Sequence, residues 1–287
     1  MTPPRLLILG YGRLGRAFVQ RHHAAYQVRG VKRTPIPGDS CELALMPIQS
    51  DTLRPHLAWA DVVLFCPSSG GGGDGARGQG KSGRGGGDDL SRYRETYLGN
   101  MQFVVALLER ERAASRMILV GSTGVYPRGR DGVWSEEQSI PLESDRQEVL
   151  WRTEQALAGS GVPYVILRCG GLYGVGRENF GWVRRKSSLP ASELTDEPLA
   201  LVHQDDVCDV IDRAIRLGAT NEVFNVRDDS TLSRKELFGA IAARANIPIV
   251  QDGPVPPRID RRIPNEKVKT GLGYRFSKTS ILDYLEA

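Results

Sequence analysis

The chain has 287 residues, of which 40% are apolar and 25% are charged, and its formal net charge is +4. These values are typical of a globular protein with one large core, or with a core and a small additional lobe. No apolar run approaches the roughly 20 residues that span a bilayer, and no signal peptide precedes the first strand. We therefore expect a cytoplasmic protein without a membrane partner.

Cysteines, histidines and arginines exclude two further classes of site. The four cysteines form no Cys-x-x-Cys pair, and the histidines have no metal-ligand spacing to them, so no metal is predicted. The arginines are scattered along the chain, and no nucleic-acid-binding motif accompanies them. The positive charge is interpreted as attraction for the phosphates of a small ligand, and nucleic acid is not an expected partner.

Apolar periodicity predicts alternating strands and helices along the chain. The predicted strands cover residues 5–10, 27–32, 43–48, 61–66, 117–120, 163–168 and 223–226. The predicted helices cover 14–23, 51–57 with Asp51 as cap, 90–112, 143–158, 205–217 capped by Asp205 or Asp206, 231–246, and 279–285. Ser233 and Glu236 have the spacing of a capping box. This alternation predicts an α/β fold with a doubly wound parallel sheet.

One stretch departs from the pattern. From residue 70 to 87, 11 of 18 residues are glycine and most others are polar. Because such a segment buries too little apolar area to offset the entropy of ordering, we expect a flexible surface loop. The predicted domains are a nucleotide-binding domain over 1–169, returning at about 200–226, and a small C-terminal substrate lobe over 170–199 and 227–287.

The motif Gly10-Tyr11-Gly12-Arg13-Leu14-Gly15 directly follows the first strand and opens the first helix. In a Rossmann-type fold the first glycine permits a tight turn, the second lets the backbone approach a pyrophosphate, and the third lets helix and strand pack closely. The helix N-terminus offers free N–H groups to the phosphates. The motif therefore predicts a dinucleotide site formed by all six residues; a plain glycine turn is the alternative.

The end of the second strand indicates which dinucleotide is bound. NAD-selective folds place an acidic residue there for the ribose 2′-hydroxyl. This chain has Lys32 and Arg33 instead, which can pair with a 2′-phosphate. NADP(H) is favoured and NAD(H) is possible; two exposed basic turn residues are the alternative.

Five later segments together resemble the extended short-chain dehydrogenase/reductase family, the NAD-dependent epimerases and dehydratases. They are Ser122-Thr123-Gly124-Val125-Tyr126, the stretch 167–177 from Leu-Arg to Gly-Arg, Val202-His203-Gln204-Asp205-Asp206-Val207, Phe224-Asn225-Val226 and Leu272-Gly273-Tyr274. The resemblance covers nearly the whole chain. It implies a Tyr-x-x-x-Lys pair on the helix after the fifth strand, with tyrosine as acid/base and lysine on the nicotinamide ribose.

That pair is absent here. Aligning Glu154 with the family's glutamate puts Leu150 at the lysine position and Arg146 at the tyrosine position, and residues 127–163 contain neither Tyr nor Lys. The chain is therefore predicted to be an atypical member. Ser122, Tyr126 and Arg146 are the catalytic candidates, with Arg146 favouring the tyrosinate. The alternatives are a packing tyrosine bonded to the backbone and a serine that satisfies a loop amide.

Arg168, Tyr173, Arg177 and His203 follow strand ends, where open α/β sheets bind ligands, and are the substrate-binding candidates. His203 alternatively fixes its loop. The sequence thus predicts an NADP(H)-dependent oxidoreductase or epimerase/dehydratase-like enzyme for a small polar or sugar-derived substrate. The alternative is a non-catalytic NADP(H)-binding sensor or regulatory protein. The missing Tyr/Lys pair favours the sensor, whereas the retained Ser122 and Tyr126 favour the enzyme.

Overall fold

The computed structural model describes residues 2–35, 41–68, 86–111, 115–174, 186–254, 257–278 and 280–284. Within these ranges no helix has the length and apolar character needed to cross a bilayer. The same ranges contain no group of three His, Cys, Asp or Glu side chains placed to hold a metal ion.

A seven-stranded sheet runs through the protein. Its strands are β1 (Arg5–Leu9), β2 (Gln27–Lys32), β3 (Glu42–Leu45), β4 (Val62–Phe65), β5 (Arg116–Ser122), β7 (Tyr164–Cys169) and β11 (Glu222–Val226). The strand order is β3-β2-β1-β4-β5-β7-β11, so the sheet extends in both directions from β1. This confirms the predicted doubly wound α/β sheet.

The strand registers follow from the apolar runs. β1 pairs in parallel with β2, where Leu9 lies opposite Val31, and with β4, where Leu9 lies opposite Phe65. All four residues of β4 are buried, as expected for a strand covered on both faces. Because parallel strands align their carboxyl ends, the residues after Leu9, Lys32 and Phe65 meet at one edge.

Helices connect these strands. They are α1 (Arg13–His22), α2 (Arg54–Trp59), α3 (Gly86–Arg94), α4 (Asn100–Glu111), α5 (Asp145–Ala158), α6 (Gln204–Arg216), α7 (Arg234–Arg244) and α8 (Glu266–Gly271). A π-helical turn, Glu95–Gly99, joins α3 to α4 inside the predicted helix 90–112. Short parallel pairs join β8 (Gly171–Tyr173) to β10 (Leu201–His203), β9 (Leu189–Pro190) to β12 (Ile249–Val250), and β6 (Gly132–Val133) to β13 (Arg261–Arg262).

Local capping confirms one sequence expectation and corrects two. Ser233 accepts the Glu236 amide, and the Glu236 carboxylate accepts the Ser233 amide, so the capping box of α7 is present. Asp51 is not the cap of the second helical segment, because Ser50 accepts the Thr52 amide one residue earlier. Neither Asp205 nor Asp206 occupies the cap position of α6, since both lie inside the first turn of that helix.

The chain divides into two compact units. Unit 1 comprises 1–121, 142–167 and 211–223, and unit 2 comprises 122–141, 168–210 and 224–287. Of the predicted flexible loop 70–87, residues 70–85 lie outside the described residues, and Gly86 and Gly87 belong to α3.

Candidate functional site

The turn after β1 requires glycine at its first position. Gly10 has a φ of +82°, and a Cβ there would lie 2.5 Å from Pro67 Cα, the backbone that follows β4. The amides of Gly10 and Tyr11 both donate to Val31 O, at 3.2 and 2.9 Å. The turn is thus held against both neighbouring strands of β1.

Gly12 and Gly15 also have distinct surroundings. Gly12 is the N-cap of α1, no side chain caps the helix, and no acidic residue occupies the first turn. Among the described residues, a Cβ on Gly12 would meet only Gly10 O, at 3.7 Å, so this side of the backbone is accessible to a ligand. A Cβ on Gly15 would lie 3.2 Å from Ile8 Cγ2, which shows close packing of helix and strand. The geometry fits a pyrophosphate cradle.

The other residues of the motif divide between core and surface. Leu14 is buried on α1, whereas Arg13 is exposed in its first turn. Tyr11 is only 2% exposed. Its ring lies so close to β2 that a Cβ on Gly30 would be 2.8 Å from Tyr11 Cγ. Tyr11 therefore supports the turn from beneath.

Lys32 is the last residue of β2, and Arg33 follows it as an exposed residue. β2 pairs directly with β1, so its carboxyl end and the glycine turn share one edge of the sheet. No acidic residue lies between Gln27 and Arg33. This edge is therefore basic where NAD-selective sites are acidic.

Tyr126 is the centre of a buried polar network in unit 2. Its side chain is 1% exposed, and its hydroxyl lies 2.8 Å from Asn225 Oδ1 and 3.1 Å from Ser135 O. Arg168 Nη1 donates to the same hydroxyl at 2.7 Å. The hydroxyl thus accepts one hydrogen bond from Arg168, and its single proton faces two acceptors, Asn225 Oδ1 and Ser135 O.

Burial raises the pKa of Tyr126 to about 12, although the charge and hydrogen bond of Arg168 oppose the rise. The hydroxyl therefore stays protonated at neutral pH. This geometry corresponds to the packing alternative considered for Tyr126. Arg168 is the cation that contacts the hydroxyl, whereas the sequence predicted Arg146 in this role.

The other two catalytic candidates have local partners as well. Ser122 ends β5, and its Oγ accepts the Gly124 amide at 3.0 Å, which leaves the hydroxyl proton available. Arg146 lies in the first turn of α5, exposed, where it pairs with Asp89 and lies 4.9 Å from the centre of the Tyr93 ring. Both contacts of Arg146 belong to unit 1.

Three of the substrate-binding candidates are buried within unit 2, and Arg177 lies outside the described residues. Tyr173 donates to Asp228 Oδ2 at 2.8 Å. His203 accepts the Asp205 amide through Nδ1 at 3.1 Å, and its ring lies 5.2 Å from that of Tyr173. Arg168 is engaged with Tyr126. These side chains shape the interior of the unit.

Two residues of the Tyr126 network were missed by sequence reasoning. The side-chain oxygen of Asn225 accepts a hydrogen bond from the Tyr126 hydroxyl, and its Nδ2 donates to Trp134 O at 3.1 Å. The backbone amide of Asn225 donates to Glu136 Oε1 at 2.7 Å. A signal was present, since Asn225 is a polar residue inside the buried run Phe224-Asn225-Val226. A fully buried asparagine needs partners, and the polar segment after Tyr126 supplies them.

Solved structures with this architecture include sugar-nucleotide enzymes. The UDP-glucuronic acid 4-epimerase of Bacillus cereus matches with a TM-score of 0.77 and 18% identity over 99% of this chain and 97% of the epimerase. The dTDP-glucose 4,6-dehydratase of Bacillus anthracis matches with 0.76 and 16% over 99% and 96%. A short-chain dehydrogenase/reductase superfamily protein of Agrobacterium tumefaciens matches with 0.75 and 18% over 98% and 94%. No protein-family model and no curated protein matches the chain.

This chain has the fold of the short-chain dehydrogenases/reductases, in the form found in epimerases and dehydratases. Ser122 and Arg168 lie at the ends of β5 and β7, and Asn225 lies near the end of β11.

Proposed function

We propose that this protein is an NADP(H)-dependent oxidoreductase of the epimerase and dehydratase type, acting on a small polar or sugar-derived substrate. The observation that carries the proposal is the turn of Gly10, Gly12 and Gly15, with its first glycine against the backbone after β4 and an uncapped α1 behind it. Such a turn binds a pyrophosphate through backbone amides and the positive end of a helix.

The solved structures support a nicotinamide dinucleotide as cofactor and a sugar derivative as substrate. The Bacillus cereus epimerase was crystallised with UDP-glucuronic acid and NAD, and the Bacillus anthracis dehydratase with NAD. A nicotinamide dinucleotide, when bound, supplies or accepts a hydride. The chain's own part is to orient the reacting group and to hold its proton.

The preference for NADP(H) rests on this chain's own residues. Lys32 and Arg33 place two cations at the carboxyl end of β2 beside the glycine turn. A carboxylate at this position would repel a 2′-phosphate, whereas these side chains attract it.

Fluorescence titration with NADPH and NADH tests the cofactor. We expect NADPH to bind more tightly, and Lys32→Asp or Arg33→Ala to narrow the difference, because a charged hydrogen bond contributes on the order of 1.5–3 kcal/mol. Arg54→Ala is the matched control, since Arg54 lies on α2 and pairs with Asp51 and Glu111. Equal affinities of the parent protein for the two nucleotides would refute the preference.

Ser122 is proposed to hold the reacting hydroxyl or carbonyl group. It stands at the carboxyl end of β5, and accepting the Gly124 amide orients its Oγ while the proton remains free to donate. Tyr126 is the proposed acid/base, with Arg168 as the cation that stabilises the tyrosinate. Arg146, in the N-terminal turn of α5, is proposed to favour the tyrosinate through its positive charge.

A second candidate function is a non-catalytic NADP(H)-binding sensor, and the state of Tyr126 favours it. The hydroxyl is buried and hydrogen-bonded within the protein, and burial raises its pKa to about 12. NADPH oxidation against a panel of carbonyl compounds and sugar nucleotides separates the two functions. Turnover supports the enzyme, and tight NADPH binding without turnover supports the sensor.

A further inference from the structure

The segment Trp134-Ser135-Glu136 supplies hydrogen-bond acceptors around Tyr126. Trp134 O accepts the side-chain amide of Asn225 at 3.1 Å, and Glu136 Oε1 accepts its backbone amide at 2.7 Å. Ser135 O lies 3.1 Å from the Tyr126 hydroxyl. The segment is itself fixed, since the Trp134 amide donates to a backbone carbonyl of β13 at 2.7 Å. Three consecutive residues therefore hold the surroundings of one hydroxyl group.

Asn225 is gripped by this segment through both of its amide groups. The residue is fully buried, and a backbone carbonyl such as Trp134 O can only accept a hydrogen bond, which places Nδ2 on that side. Oδ1 therefore faces Tyr126, at 2.8 Å from the hydroxyl oxygen. Because Oδ1 can only accept as well, the tyrosine proton is directed at the protein. To give this proton to a substrate, Tyr126 has to release it from these acceptors.

Glu136 also brings a negative charge to the network. Its side chain is half-buried, and burial raises its pKa against the hydrogen bond from the Asn225 amide. Burial is the main cause of the raised pKa of Tyr126; the charge of Glu136 adds to the rise, and Arg168 opposes it. Arg261 is a further cation that interacts with Tyr126. The charged groups around the phenol thus act in opposite directions, and Glu136 favours the protonated form.

We propose that Glu136 is a positioning residue for Tyr126, which fixes Asn225 as the acceptor of the tyrosine proton and holds the phenol in its protonated form through its negative charge. Resting on the proposed function, in which Tyr126 is the acid/base, Glu136 then sets the pH at which Tyr126 exchanges a proton with the substrate. Removing the charge while keeping the hydrogen bond favours the tyrosinate. Removing both also loosens Asn225.

NMR of the full chain labelled with ¹³Cζ-tyrosine follows the ionisation of Tyr126. The chain has 9 tyrosines, and the resonance of Tyr126 is the one missing from Tyr126→Phe. In Glu136→Gln, whose side-chain oxygen still accepts the Asn225 amide, we expect the tyrosinate fraction at about pH 10 to rise roughly tenfold. Glu136→Ala removes the same charge and should show the same direction of change if the glutamine variant folds poorly. An unchanged fraction in both variants overturns the proposal.

Glu137→Gln is the matched control, because it removes the same charge from the next residue, whose carboxylate pairs with Lys267 Nζ at 3.3 Å. The tyrosinate fraction should stay at the parental value; a rise equal to that of Glu136→Gln would overturn the role of Glu136. The shape of the resonance reports on position. It should stay single in Glu136→Gln and broaden or split in Glu136→Ala, where the Asn225 amide loses its acceptor. A sharp parental resonance in Glu136→Ala would show that Glu136 does not position the tyrosine.

NADPH oxidation with the panel of carbonyl compounds and sugar nucleotides keeps this proposal apart from the proposed function. If a substrate is found, the fall of kcat at alkaline pH should begin at a lower pH in Glu136→Gln, since the acid is then lost earlier. If no compound is turned over and the tyrosinate fraction still rises in Glu136→Gln, the proposed function fails and the coupling of Glu136 to Tyr126 stands. Turnover with an unchanged tyrosinate fraction has the opposite meaning.

Discussion

Removing the Tyr126 hydroxyl tests a single atom that has three protein partners. Tyr126→Phe removes one hydrogen bond from Arg168 and one from Asn225 Oδ1 in a buried network, so we expect a loss of about 1–3 kcal/mol in unfolding free energy. If Tyr126 is the acid/base, kcat also falls by roughly 10²–10⁴-fold while NADPH affinity is nearly unchanged.

Chemical denaturation and steady-state kinetics on the same preparation separate the two effects. Tyr274→Phe is the control, because it removes another buried hydroxyl, which donates to Asp206 at 2.7 Å. Tyr274→Phe should lower the unfolding free energy and leave kcat unchanged. If Tyr126→Phe turned over substrate at the parental rate, Tyr126 would be a packing residue and not the acid/base.

Gly30 is a second position where a single added carbon atom is expected to change both stability and NADPH binding. A Cβ there would lie within 2.9 Å of the Tyr11 ring and of Leu43, so Gly30→Ala must displace the residue that supports the glycine turn. We expect a loss of about 1–3 kcal/mol in stability together with weaker NADPH binding.

Gly239→Ala in α7 serves as the comparison, because within the described residues no atom beyond its chain neighbours and the backbone of its own helix lies within 4 Å of the added methyl group. A helical Gly→Ala change should stabilise by up to about 1 kcal/mol. Denaturation and NADPH titration of both variants provide the check. Parental NADPH affinity in Gly30→Ala would show that Tyr11 does not position the turn.

At the scale of elements, the capping box of α7 is the clearest case of local sequence setting local structure. Ser233→Ala removes the acceptor of the Glu236 amide and should lower the unfolding free energy by about 1 kcal/mol. Ser233→Asp, which restores a capping oxygen, should recover most of the loss in the same melt. Equal stabilities of the alanine and aspartate variants would mean that the cap contributes little.

Strands, helices and the glycine turn could be predicted because their signals are local. Apolar runs marked β1 and β4, and two residues three apart marked the cap of α7. The partners of Tyr126 could not be predicted in this way. Asn225 lies 99 residues further along the chain, and Arg168 lies 42 residues further along. Nothing near Tyr126 in sequence indicates which distant cation reaches its hydroxyl, and helical alignment suggested Arg146.

The stability of the whole molecule should depend on pH through Asp228. This carboxyl is fully buried, and burial raises its pKa from the usual 3.8 to about 6, against the hydrogen bonds of Tyr173 and Ser230. The folded state therefore holds the proton more tightly than the unfolded state. Its contribution to stability is complete below about pH 4, falls as the pH rises to about 6, and is lost above that.

Asp228→Asn keeps an acceptor for Tyr173 and cannot titrate, so the variant should gain stability relative to the parent between pH 4 and 6, by at most about 3 kcal/mol. Denaturant unfolding of both proteins across this range measures the difference. Subtracting the two curves removes the contributions of other carboxyls, such as Glu136, whose pKa burial also raises. A difference that does not change with pH would rule out titration of Asp228.

The pairing of β13 with β6 has a consequence for the order in which the protein can be made. Gly132 pairs with Arg261 across the two strands, and Arg261 Nε donates a hydrogen bond to Pro127 O, 134 positions earlier in the chain. A ribosome therefore releases the segment 122–141 long before its partner exists, and this strand pair of unit 2 cannot form until residue 261 has emerged. Such distant pairings slow folding and leave strand edges exposed meanwhile. A nascent chain that stalls before residue 261 would carry an unfinished edge, a natural substrate for a chaperone.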